Sequence, residues 1–94
     1  MLMRVNLYAT LRSVAGTKRV DVELPDQATV GQLVAALVAR FPALKDQLLD
    51  GEGKLWRHVH VMVNGRDAPY LPVGLDTPLR MADEIDVFPP VGGG

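Results

Sequence analysis

The chain has 94 residues with ten basic and eleven acidic side chains, a formal net charge of −1 and no block of like charge. It therefore holds one domain's worth of sequence and lacks the electrostatic footprint of a nucleic-acid binder, so neither nucleic acid nor a membrane surface is an expected partner. It contains no cysteine, which excludes disulfides, thiolate metal sites and a thiol nucleophile from this chain.

The apolar fraction of 48% and the charged fraction of 22% are those of an ordinary globular protein. No window approaches the roughly 20 uninterrupted apolar residues that cross a bilayer. The apolar opening MLMRVNLYATL is interrupted by Arg4 and Asn6 and has no cleavage site after it. No export signal is read there, and a cytoplasmic protein is expected.

Residues 3–9 alternate, with Met3, Val5, Leu7 and Ala9 on one side and Arg4, Asn6 and Tyr8 on the other, the period of a half-buried strand. TLRSVAGT follows as a loose loop in which Gly16 offers a turn, and residues 18–24 alternate again with Val20, Val22 and Leu24 inward. The two segments read as an antiparallel hairpin. After Pro25, Thr29 and Gln32 form a capping-box signature, and Val30, Leu33, Val34, Leu37 and Val38 recur at helical spacing, predicting the main helix over about 29–40. Pro42 suits a first helical position, so PALKDQLLD predicts a second short helical segment running into the GEG loop at 51–53.

From Trp56 the alternation returns, with Val59, Val61 and Val63 on one face and His58, His60 and Met62 on the other. It closes at the turn pair Asn64-Gly65, followed by a short return strand at 66–68. The stretch PYLPVGLDTPL reads as an irregular connection with one helical turn after Asp76. EIDVF, residues 84–88, is the last strand, with Ile85 and Val87 inward. One amphipathic helix and about five one-faced strands satisfy one another as a mixed sheet laid over the helix. This α+β arrangement is a β-grasp, or ubiquitin-like, fold, with the first and last strands parallel at the sheet centre because the long connection crosses over the helix.

The domain is expected over residues 1–88, with 89–94 as a C-terminal tail. Pro89-Pro90 favours an extended base, whereas Gly92, Gly93 and Gly94 lack side chains and suit a channel too narrow for any Cβ. Six extended residues reach about 20 Å. On the outer face of the sheet, Tyr8, His60, Met62 and Phe88 are expected to form a partner-binding surface, since aromatic residues and methionine are favoured anchors.

His58 and His60 point the same way on one strand, but no third ligand accompanies them, and they read as exposed sheet-face histidines with no metal site. Trp56 reads as packing on the rim of the core. Asp83 and Glu84 are adjacent, face opposite sides of the chain and make a poor acid/base pair.

YATLRSVAG at 8–16, DTPL at 76–79, DEIDVFPP at 83–90 and the terminal diglycine together resemble the MoaD/ThiS family of sulfur carriers, which includes the small subunit of molybdopterin synthase. The resemblance implies a ubiquitin-like fold and a thiocarboxylate carried on Gly94, which would be substrate and not catalyst. A free carboxylate is a poor electrophile, so an E1-like adenylating partner of the MoeB/ThiF type would spend ATP to form an acyl-adenylate that a sulfur donor then displaces. No cofactor is implied in the carrier itself.

The resemblance implies that Phe88, Pro89, Pro90, Val91, Tyr8, His60 and Met62 lie at partner surfaces, and Arg12, where the family has an arginine in the first loop, reads either as a contact to a partner's acidic groups or as a solvated loop residue. Ser13 stands where an acidic residue is common in the family. The sulfur acceptor implied first is the molybdopterin synthase large subunit. The stretch GKLWRHVHVMVNGRD resembles members that feed cysteine synthesis, with thiamine synthesis, tRNA thiolation and conjugation to protein lysines as alternatives.

Overall fold

The computed structural model describes residues 1–90; Val91, Gly92, Gly93 and Gly94 lie outside the described residues. The first strand, β1 (Leu2–Leu7), buries Met3, Val5 and Leu7 on one face, as its alternation requires. It does not extend to Ala9, which is exposed and adopts φ 53° and ψ −129°. That residue redirects the chain into α1 (Thr10–Ala15), where an open loop was expected. The helix buries Leu11 completely and stops at Gly16, whose φ of 78° suits a residue without Cβ. Six residues with one fully buried contact display no helical repeat, which is why the sequence pattern does not reveal them.

The next strand, β2 (Arg19–Glu23), returns antiparallel to β1 with Val5 opposite Val20 and Met3 opposite Val22. Helix α2 (Val30–Arg40) carries the capping box that its sequence announces. The Thr29 backbone N–H donates to Gln32 Oε1 at 2.8 Å, and the Gln32 N–H donates to Thr29 Oγ1 at 3.2 Å. Its buried stripe is Val30, Leu33, Val34 and Leu37. A 3-10 turn (Pro42–Leu44) and α3 (Lys45–Leu48) form the second helical segment and bury Leu44 and Leu48.

The following loop is knitted by Asp50, whose Oδ1 accepts the N–H groups of Glu52 at 2.8 Å and Lys54 at 3.0 Å. Strand β3 (His60–Val63) begins later than the alternation from Trp56 implies. The Val59 N–H donates to the Trp56 carbonyl at 3.1 Å, which closes a turn and leaves His58 exposed on it, not on the strand. Asn64 and Gly65, at φ 53° and 83°, make the tight turn into β4 (Arg66–Asp67).

Two 3-10 turns follow, Ala68–Tyr70 and Gly74–Asp76. The helical turn anticipated after Asp76 thus falls before Thr77. The reason is that the DTPL stretch is laced to the start of α2, with Val30 N–H to Thr77 O at 3.0 Å and Leu79 N–H to Ala28 O at 2.8 Å. Strand β5 (Ile85–Phe88) completes the sheet.

The strand order is β2-β1-β5-β3-β4. At its centre β1 and β5 run parallel, with Val5 opposite Ile85 and Leu7 opposite Val87, while β5 and β3 are antiparallel. This is the β-grasp topology. The buried apolar side chains of the sheet and helices form one core cluster between Met3 and Val87, and no polar or charged residue among the described ones is buried in it. Among the described residues no helix is long and apolar enough to cross a membrane.

Candidate functional site

The sheet face turned away from the core carries the residues expected at the partner surface. Because β1 and β5 lie side by side, Tyr8 just beyond β1 meets Phe88 at the end of β5. Their rings stack with centroids 4.2 Å apart and planes 13° from parallel. Asp86, two residues before Phe88 and on the same face, accepts the Tyr8 hydroxyl at 2.8 Å and the Asn6 side-chain amide at 3.0 Å, both on Oδ1.

This hydrogen bond from the neutral phenol to the Asp86 carboxylate raises the Tyr8 pKa above the ordinary value of 10.0. Partial burial and the Asp86 charge act in the same direction, and the Arg12 cation opposes them. The Arg12 guanidinium lies 5.1 Å from the centre of the Tyr8 ring, and its Nε donates to the Leu7 carbonyl at 2.7 Å. The unanticipated α1 is what brings Arg12 back over this ring.

His60 stands opposite Phe88 in the β3–β5 register, and Met62 stands opposite Asp86. Thus Tyr8, His60, Met62 and Phe88 share one face, as the alternation predicted. His60 Nδ1 lies 2.5 Å from Asp67 Oδ2. The other Asp67 oxygen, Oδ1, is buried and lacks a hydrogen-bond partner among the described residues. All four side chains are half-buried, and polar Asn6, Asp86 and Asp67 run between them, so this face is a mixed surface and not a purely apolar patch.

Phe88 is followed by Pro89, which is buried, and Pro90, which is exposed. The chain therefore stays seated on the body through Pro89. The tail positions Val91, Gly92, Gly93 and Gly94 lie outside the described residues.

Asn6, Asp86 and Asp67 are part of this arrangement and were not singled out from the sequence. Asn6 and Asp86 are 80 residues apart and meet only through the parallel pairing of the two central strands. The available signal was a polar residue at an outward position in the middle of each. Trp56 packs beside α3 as expected, with its indole N–H donating to the Asp46 carbonyl at 3.0 Å, but it remains 45% exposed.

The model of the ThiS family matches residues 5–94. The chain belongs to the ThiS family of ubiquitin-like sulfur carriers. It is 37% identical over 94 residues to small archaeal modifier protein 3 of Haloferax volcanii, covering 100% of both chains. It is 38% identical over 92 residues to small archaeal modifier protein 1 of the same organism, covering 98% of this chain and 100% of that one. The crystal structure of that second protein superposes with a TM-score of 0.88 over 100% of both chains. The Amycolatopsis orientalis BexX/CysO complex gives a TM-score of 0.78 at 29% identity, covering 98% of this chain and 99% of that one.

Proposed function

We propose that the chain is a cytoplasmic carrier whose Gly94 carboxylate is adenylated by an E1-like enzyme of the MoeB/ThiF type and then converted to a thiocarboxylate. The carboxylate oxygen attacks the α-phosphate of ATP and pyrophosphate leaves. A sulfur nucleophile then adds to the acyl carbon and expels AMP. The carrier supplies the acyl group and a docking surface, and the adenylating enzyme supplies the catalysis.

The observation that carries this reading is the cluster at the end of β5. The Tyr8–Phe88 stack, the Asp86 bonds and the buried Pro89 fix the base from which residues 90–94 continue. The family match supports the same reading, because it runs through residue 94. Tyr8, Arg12, His60, Met62, Phe88 and Pro90 would meet the partners, with Val91, Gly92 and Gly93 leading Gly94 into the active site.

The sulfur acceptor proposed first is the molybdopterin synthase large subunit, on the likeness of DVFPPV and its glycines to the small subunit of that enzyme. A second reading, conjugation of the same activated Gly94 to protein lysines, is favoured by the two relatives named as modifier proteins. Intact mass spectrometry of the chain incubated with its activating enzyme, ATP and a sulfur donor separates them. A product in which one oxygen is replaced by sulfur supports the carrier, and lysine-linked adducts on other proteins support conjugation. Removal of Gly94 is expected to abolish both products and leave the thermal unfolding of the body unchanged. Either product surviving that removal would refute the role of Gly94.

A further inference from the structure

On the helix side of the molecule, away from the open sheet face, lies a cleft of about 580 Å³ between α2, the loop at 49–57 and the segment at 69–75. This volume is typical of ligand-binding sites. Two of its lining side chains are large and left in water, Trp56 at 45% and Tyr70 at 85% exposure. By contrast, Tyr8 and Phe88 on the sheet face are half-buried against each other. Large exposed aromatics bordering an apolar concavity mark a recognition site.

Trp56 is held twice, by its indole N–H on the Asp46 carbonyl at 3.0 Å and its backbone N–H on the Leu48 carbonyl at 2.9 Å. Gly31 of α2 lies beside the Leu75 carbonyl, which a Cβ there would meet at an ordinary 3.4 Å, so helix and turn pack closely along one wall. The ionisable side chains that line the cleft, apart from the Tyr70 phenol, are both cations, Lys54 and Arg57. Lys54 is paired at 3.8 Å with the exposed Glu52, whereas Arg57 has no carboxylate partner among the described residues.

We infer that this cleft binds a short, apolar peptide segment of a partner protein that carries carboxylates for Arg57 and Lys54. The apolar part of such a segment covers Trp56 and Tyr70, and its acidic groups meet the rim cations. The cleft lies on the side opposite the Tyr8–Phe88 cluster, so a partner bound there leaves the sheet face free. The inference does not depend on the chemistry of Gly94.

Trp56 is the single tryptophan of the chain and reports directly on the cleft. The full chain is titrated with an acetylated, amidated peptide of sequence Asp-Leu-Ile-Glu-Leu-Val, and with the same peptide carrying lysine in place of both acidic residues. Trp56 fluorescence is followed together with the NMR shifts of its indole N–H and of the Gly31 amide. A saturable response is expected for the acidic peptide alone.

The response should weaken about tenfold in the Lys54→Glu, Arg57→Glu double variant, and it should also weaken at high salt. Tyr70→Ala, at a solvent-exposed position where folding is insensitive, should weaken it as well. Equal binding of both peptides, or no shift at Trp56 and Gly31 up to millimolar peptide, overturns the inference. A concentration-dependent shift of Trp56 without peptide, accompanied by a dimer mass in light scattering, assigns the cleft to a second copy and overturns it too.

Discussion

Replacing Val61 by aspartate tests whether the inward face of β3 is the core of the domain. Val61 is completely buried, stands opposite Val87 on the central strand β5 and belongs to the single core cluster. Losing its side-chain burial costs about 1.5–3 kcal/mol. A carboxyl group placed there has no polar partner, because no polar or charged residue among the described ones is buried in the core. Keeping it neutral at pH 7, about 3 units above its free pKa of about 3.9, costs roughly 4 kcal/mol more. The sum, about 6–7 kcal/mol, is a large part of the whole stability of a domain of this size, roughly 5–14 kcal/mol at about 0.05–0.15 per residue.

The variant is therefore expected to be unfolded or barely folded at pH 7, read by far-UV circular dichroism and a urea titration. Its neighbour Met62 faces the open side of the same strand, so Met62→Thr should cost about 1 kcal/mol or less. A Val61→Asp variant that melts cooperatively within a few degrees of the parent would refute the assignment of faces. So would a Met62→Thr variant as damaged as Val61→Asp.

Thr29→Ala removes one half of the capping box of α2 and should lower stability by about 1 kcal/mol, measured by urea denaturation. Ala9 holds a positive φ of 53° without being glycine, so Ala9→Gly should raise the stability by up to about 1–2 kcal/mol, strain relief of roughly 1–3 outweighing the added unfolded-state entropy of about 0.4–1. Tyr8 titrates above 10.0 in the folded state because its hydroxyl is bonded to Asp86. A raised pKa means that folding favours the neutral phenol, so this contribution is fully present below pH 10 and is lost as the pH rises through the folded value. Ultraviolet titration of the tyrosines should show one high-pH transition in the parent that moves down toward the ordinary value in Asp86→Asn.

The main elements were legible because their signals are local. Alternation in MRVNL, KRVDVEL and HVMV states which residues face inward, although its continuation to Ala9 fails where that residue turns the chain; Thr29 and Gln32 announce the start of α2, and Asn64-Gly65 names its turn. Short segments were less legible. In α1 one fully buried contact, Leu11, supports six residues, too few to display a period, and the helical turn near Asp76 is placed by hydrogen bonds from Val30 and Leu79 that no local pattern contains.

The sequence by itself determined the fold class, the inward and outward sets within the strands and the family resemblance, because each is written in short local patterns, even where several such patterns are spread along the chain. The tertiary structure alone decided that Asp86 gathers Asn6 and Tyr8, that Arg12 lies over Tyr8, and that Gly31, Trp56 and Tyr70 share a cleft. These contacts join segments far apart in the chain. They exist only once the parallel pairing of β1 with β5 and the packing of α2 have brought those segments together.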